Sequence, residues 1–260
     1  MKRILRLAMA CLLIAKAGAE TPVREVPAFG THFASRGLTG TVVILDPQAK
    51  EILAWNPDRA KERFIPASTF KIANALIGLE SGAVKSLDEV LPYGGKPQMM
   101  PEWEKDLSLR DAIKVSSVPV FQELARRIGP GRMAAGVKSL GYGNVDTKGV
   151  IDRFWLDGPL KISAMEQIGF IRRLLADELP LKKDIMRQVR EIVSTETAED
   201  AVIHYKTGWC TATEPNIGWI VGWVERNGAS LPFALNIDMK DIKDAPKRML
   251  VLTDCLKSAE

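Results

Sequence analysis

The chain has 260 residues, of which 46% are hydrophobic and 26% charged, which is typical of a soluble globular protein of one domain and excludes a disordered chain. The formal net charge of +4 comes entirely from residues 1–19, which contain four cations and no acid. The rest of the chain is neutral and has no basic run with interleaved aromatic residues, so we expect no nucleic-acid partner.

Residues 1–19 are predicted to be a secretory signal peptide. Cations within the first six residues precede a nine-residue apolar stretch at 7–15 and a small-residue cleavage site, Ala-Gly-Ala, at 17–19. The apolar stretch is too short for a transmembrane helix. We therefore expect residues 20–260 to be exported to a bacterial periplasm, with no membrane attachment after cleavage.

Two cysteines, Cys210 and Cys255, remain after this cleavage. In an oxidising compartment they can form a disulfide, and two buried thiols are the equal alternative, because spacing does not give the distance between their Cα atoms. No metal centre is expected, since the only histidines are His32 and His204 and the sequence contains no CxxC, HExxH or HxHxD.

Hydrophobic patterning predicts strands at both ends of the chain and helices between them. The N-terminal strands are expected at 38–46 and 51–55, joined as a hairpin. Helical periodicity then begins at Pro66 and continues to Gly82, and it returns at 107–114, 120–128, 133–140 and 164–175.

The C-terminal part is predicted to contain strands at 201–206, 217–225 and 231–238. Asn227-Gly228 is a strong hairpin turn between the last two strands. A final helix at 243–258 is expected to face inward through four residues: Met249, Leu250, Leu252 and Leu256.

This order of elements predicts an α/β fold of the α+β type. An antiparallel sheet is assembled from both termini and flanked by helices, and a helical subdomain is inserted between its two parts. We expect a single domain over residues 20–260, with the sheet subdomain at about 20–65 and 190–260 and the helical subdomain at about 66–189.

The sharpest local signal is Ser68-Thr69-Phe70-Lys71 at a predicted helix start. Ser68 and Lys71 are three residues apart, so both side chains lie on one face, and a nucleophilic serine needs a nearby base. The positive end of the helix dipole favours an oxyanion there. A single SxxK is also found by chance at capped surface helices.

Two further signals lie downstream. Lys206-Thr207-Gly208-Trp209 on a predicted strand supplies a cation, a hydroxyl and a glycine that lets a ligand approach the backbone, although an ordinary edge strand has the same composition. Ser116-Ser117-Val118 precedes a helix, where one serine also fits an N-cap.

In this order, SxxK, a serine-containing triplet and KTG form the pattern of penicillin-recognising serine acyltransferases. The chain resembles the class D, oxacillin-hydrolysing serine β-lactamases over essentially its whole mature length. The matching segments are Ser68–Lys71 (STFK), 116–118 (SSV), 142–144 (YGN), 155–158 (WLDG) and 206–208 (KTG). A class A enzyme would have SDN where this chain has Ser116-Ser117-Val118, and the absence of GxSxG disfavours a triad hydrolase.

The resemblance implies a serine β-lactamase/transpeptidase-like fold and a two-step acyl transfer. Ser68 would be the nucleophile, and the backbone N–H groups of Ser68 and Trp209 would form the oxyanion hole. Ser116 would relay a proton to the leaving nitrogen. The substrate carboxylate would be bound by Lys206, Thr207 and an arginine of the last helix, for which Arg248 fits best and Lys247 remains an alternative.

The same resemblance implies that Lys71 adds CO2 and becomes a carbamate that acts as general base, with no other cofactor. Burial in an apolar pocket lowers a lysine pKa and so exposes the neutral amine that this addition needs. Val118 and Leu156 would supply apolar walls and the Trp155 indole would donate to the carbamate. Asn144 and Tyr142 would shape the site.

A β-lactam sensor domain that remains acylated and a penicillin-binding transpeptidase are the competing functions. Both are normally anchored in a membrane, whereas this chain begins with a predicted cleavable leader. The substrate spectrum and the oligomeric state are not indicated by the sequence.

Overall fold

The computed structural model describes residues 21–198 and 201–259. The predicted signal peptide lies outside the described residues. Within the described ranges, no helix is long and apolar enough to cross a membrane.

The strands are β1 Val23–Glu25, β2 Gly40–Asp46, β3 Glu51–Trp55, β4 Arg63–Phe64, β5 Val90–Leu91, β6 Leu107–Ser108, β7 Ile162–Ser163, β8 Ser194–Ala198, β9 Ala201–Cys210, β10 Asn216–Arg226 and β11 Ala229–Met239. The α-helices are α1 Pro27–Ala34, α2 Pro57–Lys61, α3 Lys71–Glu80, α4 Leu109–Lys114, α5 Val118–Ile128, α6 Pro130–Leu140, α7 Ala164–Leu175, α8 Lys183–Ile192 and α9 Lys247–Lys257. Short 3-10 helices lie at Ala67–Phe70, Pro101–Trp103 and Ile242–Asp244.

The central sheet is built from both ends of the chain, as the sequence predicts. Its strand order is β1-β3-β2-β11-β10-β9-β8, and the N-terminal and C-terminal parts meet where β2 pairs with β11. The predicted turn between β10 and β11 is confirmed, because Asn227 and Gly228 both have positive φ, 51° and 74°, as a two-residue hairpin requires. The sheet is antiparallel except at one edge, where β1 runs parallel to β3.

Side chains of the sheet alternate between two apolar clusters. Trp219, Val221 and Trp223 of β10 contribute to a larger cluster that also contains residues of α3, α5, α6, α7 and α8. Ile220 and Val224 point the other way, into a second cluster shared with α1 and α9. Burial on both faces explains why β10 is almost continuously apolar.

The two cysteines lie in different clusters, and the disulfide alternative is therefore wrong. Cys210 of β9 belongs to the larger cluster and Cys255 of α9 to the second one, and both are buried free thiols. The sheet separates them, a relation that the sequence spacing does not contain.

Several element boundaries differ from the prediction. The last helix begins at Lys247, after a 3-10 turn and Pro246, and Leu250 is 51% exposed instead of facing inward. The first two residues of the predicted 107–114 helix pair as β6 with β5.

The hydrophobic pattern did not predict α1, α2 or α8, nor the short strands β1, β4, β5, β6, β7 and β8. The amphipathic pattern of α8 was a usable signal, because its buried residues recur at helical spacing: Ile185, Met186, Val189 and Ile192.

Candidate active site

Ser68 lies in a tight turn instead of at a plain helix start. The 3-10 helix Ala67–Phe70 continues directly into α3, whose first residue is Lys71. The side chains of Ser68 and Lys71, three residues apart, therefore still lie on one face. Lys71 Nζ is hydrogen-bonded to Ser68 Oγ at 2.6 Å. Ala67, just before the serine, has a φ of 48°, which residues with a Cβ rarely adopt.

Lys71 is completely buried in apolar surroundings. Its Nζ lies 5.5 Å from the centroid of the Phe121 ring on α5. Burial, and secondarily the charge of Lys206, hold the pKa of Lys71 well below its usual value of 10.5. A neutral amine in hydrogen-bond contact with Ser68 Oγ can accept the proton of that hydroxyl.

Aromatic rings enclose this part of the site. The Phe70 ring contacts those of Trp155, Phe154 and Tyr142, with centroid distances of 5.4, 5.2 and 5.5 Å. These contacts bring the 155–158 segment and the 142–144 segment against the residue next to Lys71, which their sequence separation does not show.

Among the buried polar atoms that have no hydrogen-bond partner within the described part of the chain, two belong to the segments 116–118 and 155–158. They are Trp155 Nε1 and Ser117 Oγ. Ser117 occupies the N-cap position of α5, one turn before Phe121, yet its side chain makes no capping hydrogen bond. Because buried polar groups are nearly always paired, these atoms indicate a site for an additional polar group.

The second serine, Ser116, is bonded to the KTG lysine. Lys206 Nζ donates to Ser116 Oγ at 3.0 Å and to the Thr207 carbonyl at 3.0 Å. Burial and the nearby charge of Arg248 lower the pKa of Lys206 to about 7. The two lysines and the two serines thus form two adjacent hydrogen-bonded pairs.

The KTG segment has one open strand edge, as the sequence predicts, although β9 is an interior strand along its first five residues, 201–205. It belongs to β9, and β8 covers that strand only as far as the Ser194–Tyr205 pair. Residues 206–210 consequently pair with β10 on one side, and on the other side β9 contacts the 3-10 turn Ala67–Phe70 that carries Ser68. A Cβ at Gly208 would lie 2.8 Å from the Pro66 carbonyl oxygen, so glycine is needed for this close approach.

Of the two cations proposed for the last helix, Arg248 is the one beside KTG. It is buried, and its Nη1 donates to the carbonyls of Gly208, at 2.7 Å, and Trp219, at 3.1 Å. Lys247 Nζ instead bonds Asp244 at 2.7 Å. Thr207 pairs with Ile220, so it lies on the α9 face of the sheet, opposite to Lys206.

The remaining sequence-predicted residues line or support this region. Val118 is the half-buried first residue of α5, and half-buried Leu156 packs against the larger cluster. Trp209 packs against the second cluster on the other face of the sheet. Asn144 joins two chain segments, since its Nδ2 donates to the Pro159 carbonyl at 2.8 Å and its Oδ1 accepts from Lys161 N at 2.9 Å.

Comparison with known proteins agrees with this geometry. Residues 40–251 match the transpeptidase domain of penicillin-binding proteins. The chain is 41% identical over 239 residues to β-lactamase OXA-5 of Pseudomonas aeruginosa, covering 91% of this chain and 90% of the relative. It is 39% identical over 234 residues to β-lactamase OXA-48 of Klebsiella pneumoniae, covering 90% and 88%.

Solved structures of class D β-lactamases superpose over nearly their full length. FUS-1 (OXA-85) of Fusobacterium nucleatum subsp. polymorphum gives a TM-score of 0.87 at 44% identity, covering 91% of this chain and 99% of that one. YbXI of Nostoc gives 0.86 at 39% identity, covering 89% and 98%. The chain belongs to the class D β-lactamase family. The resemblance inferred from its motifs and the fold that this resemblance implied are confirmed.

Some residues of this class D β-lactamase site were missed by sequence analysis. Phe121 beneath Lys71 has the helical spacing of an ordinary core residue, so no signal separates it from the core. The left-handed backbone at Ala67 also has no sequence signal, because this conformation is normally expected at glycine and not at alanine. Ser117 was identified only as part of a triplet, and its unpaired hydroxyl is visible only in three dimensions.

Proposed function

We propose that this protein hydrolyses β-lactam antibiotics, penicillins of the oxacillin type among them, in the bacterial periplasm, through an acyl-enzyme on Ser68. The observation that carries the proposal is the 2.6 Å contact between Ser68 Oγ and Lys71 Nζ in an apolar enclosure. Family membership supports the reaction class, and the predicted signal peptide supports the location.

In the acylation step, Ser68 Oγ attacks the β-lactam carbonyl carbon while Lys71 takes the hydroxyl proton. The backbone N–H groups of Ser68 and Trp209 stabilise the oxyanion. As the C–N bond of the ring breaks, Ser116 Oγ gives its proton to the leaving nitrogen, and Lys206 Nζ, 3.0 Å away, replaces that proton. Lys71 then releases its proton and Lys206 regains one, both by exchange with solvent. Water adds its OH to the ester carbonyl carbon, the C–O bond to Ser68 breaks, and the remaining proton of that water passes to Ser68 Oγ.

The substrate is oriented by the two cations beside the KTG segment, Lys206 and Arg248. Because residues 206–210 have no strand on one side in the described part of the chain, a β-lactam carboxylate at that edge is within reach of Lys206 from one face and of Arg248 and the Thr207 hydroxyl from the α9 face. Arg248 is held by two backbone carbonyls, so its guanidinium is fixed before substrate binds. Val118 and Leu156 provide apolar surface that limits the access of bulk water.

We further propose that Lys71 is carboxylated by CO2. The chemistry supplied by the carbamate is general-base catalysis in both steps. The residues present fit such a group: Lys71 has a lowered pKa, and Trp155 Nε1 and Ser117 Oγ are buried donors in need of an acceptor. Acid protonates the Lys71 amine and so opposes carboxylation, and activity should therefore fall at low pH and recover when bicarbonate is added.

The test uses the wild type, Ser68→Ala, and Ser35→Ala as a control at an exposed serine. With nitrocefin, the wild type and the control should turn over many equivalents, and mass spectrometry should find a penicillin adduct on Ser68. Ser68→Ala should form no adduct. A single stoichiometric burst from the wild type, or an adduct on Ser68→Ala, would contradict the proposal.

A further inference from the structure

The turn that presents Ser68 is strained and needs support from its surroundings. Ala67 has the left-handed backbone conformation, φ 48°, although it carries a Cβ. Such a conformation is unfavourable by itself and persists only where neighbouring contacts hold it. The carbonyl of Pro66, on the other side of Ala67, is therefore an important anchor for the direction of Ser68.

A buried chain of hydrogen bonds holds that anchor. The Pro66 carbonyl accepts from Thr69 N at 3.2 Å and from Thr69 Oγ1 at 2.8 Å. The same Thr69 hydroxyl accepts a hydrogen bond from Gln167 Nε2 at 3.0 Å. Because the hydroxyl has a single proton, the donation from Gln167 fills its acceptor side and leaves its proton directed at Pro66.

Gln167 is itself fixed from two directions. The second proton of its Nε2 is donated to the Tyr142 hydroxyl at 3.2 Å, and both residues are buried. The Tyr142 ring packs edge-on against Phe170, one turn further along α7, with a centroid distance of 5.1 Å. Since α7 packs against β2, β10 and β11, Gln167 connects the rigid sheet to the turn before the nucleophile.

We propose that Gln167 is a positioning residue for Ser68: its Nε2 polarises and orients the Thr69 hydroxyl, which locks the Pro66–Ala67 backbone in the strained form that directs Ser68 Oγ toward Lys71 and the substrate carbonyl. The inference rests on the proposed role of Ser68 as nucleophile. Gln167 touches no substrate, so it acts on the rate of acylation and not on noncovalent binding.

The first test replaces Gln167 by Met, which has a similar length and no N–H. Quenched-flow mass spectrometry should show the rate constant for acylation of Ser68 reduced about tenfold. The noncovalent Kd for the same penicillin, measured in the Ser68→Ala background with and without Gln167→Met, should agree within about twofold. The control is Ile171→Val, one turn further along α7 and equally buried, which should lower the melting temperature and leave the acylation rate within about twofold of the wild type.

A double-mutant cycle tests whether Gln167 acts through Thr69. Thr69→Val keeps the shape of the side chain and removes its hydroxyl. If the proposal holds, Thr69→Val combined with Gln167→Met acylates as slowly as Thr69→Val alone, because the same linkage is broken. Losses that multiply would show independent structural effects and would overturn the proposal.

A variant pair keeps the proposal testable if Gln167→Met does not fold. Thr69→Ser retains the hydroxyl and should acylate within about threefold of the wild type, whereas Thr69→Val should be about tenfold slower. Equal rates for the two would refute the linkage. Failure of the proposed function is a different result, since the wild type would then form no adduct on Ser68 at all.

Discussion

Replacing Trp155 by Phe removes the indole N–H and keeps an aromatic ring at the same position. Trp155 is fully buried against Phe70 and Phe154, and its Nε1 has no hydrogen-bond partner among residues 21–198 and 201–259. A buried unpaired donor destabilises a fold by about 1–3 kcal/mol. In bicarbonate-free buffer, losing that donor should offset the loss of packing, and the free energy of unfolding should change by less than about 1 kcal/mol.

The effect on carboxylation should be much larger. If the Lys71 carbamate accepts a hydrogen bond from Trp155 Nε1, that bond to a charged group stabilises the modified state by about 1.5–3 kcal/mol. At about 1.4 kcal/mol for each factor of ten, Trp155→Phe should need roughly 10- to 150-fold more bicarbonate for half-maximal modification. Acyl-enzyme should accumulate at low bicarbonate, because deacylation depends most on the base.

The assay is a bicarbonate titration followed by ¹³C NMR of the carbamate and by nitrocefin turnover. Trp219→Phe is the matched control, because Trp219 is as buried as Trp155 but its Nε1 already donates to the Ile65 carbonyl at 3.0 Å. The control should lose about 1–3 kcal/mol of stability, since it leaves that carbonyl unpaired, and should keep the bicarbonate requirement of the wild type.

Opposite results would refute this reasoning. If Trp155→Phe and the wild type reach half-maximal modification at the same bicarbonate concentration, the indole does not bind the carbamate. A wild type that is fully active without any carbamate signal, at every bicarbonate concentration, would remove the carboxylation proposal and leave family membership intact.

Three further predictions concern stability and thiols. In bicarbonate-free buffer the free energy of unfolding should rise with pH between pH 7 and 9.5, because Lys206, with a pKa of about 7, and Lys71, with a pKa well below 10.5, lose their protons at lower pH in the folded state than in the unfolded state. Lys206→Met should lower this slope by up to about 1.4 kcal/mol per pH unit in urea titrations, and an unchanged slope would assign it to other groups. Leu252→Ala should lose about 2–5 kcal/mol and Leu250→Ala less than about 0.5 kcal/mol by chemical denaturation, in contrast to the inward Leu250 expected in the sequence analysis. Thiol titration of the denatured, unreduced mature protein should find both Cys210 and Cys255, and a count of zero would restore the disulfide.

Much of the fold was predictable because it follows from local patterns. The β2–β3 hairpin, the Asn227-Gly228 turn and the long helices depend on side-chain periodicity and on residues that tolerate positive φ, and both are properties of short segments. The short edge elements β1 and β8 were missed because too few residues carry their pattern. The apolar side chain of Leu250 alone suggests an inward residue, but at about 100° per residue Leu250 lies about 160° around the helix axis from the buried Leu252, so helix geometry itself places it outward.

The candidate site also has a part that local sequence predicts and a part that it does not. SxxK determined by itself that Ser68 and Lys71 share a face, since three residues make nearly one helical turn. The order of the motifs then identified the family. Each short pattern is common by itself, but the three patterns rarely occur together in one chain in that order.

Only the tertiary structure decided which distant residues meet. The bond from Lys206 to Ser116 and the unpaired Trp155 indole beside Phe70 depend on how separate elements pack against one another. The same is true of the bond from Gln167 to Thr69, which are 98 residues apart in the chain. Local sequence fixes the direction of a side chain relative to its own backbone, whereas the partner it reaches is fixed by the burial of apolar faces between the helices and the sheet.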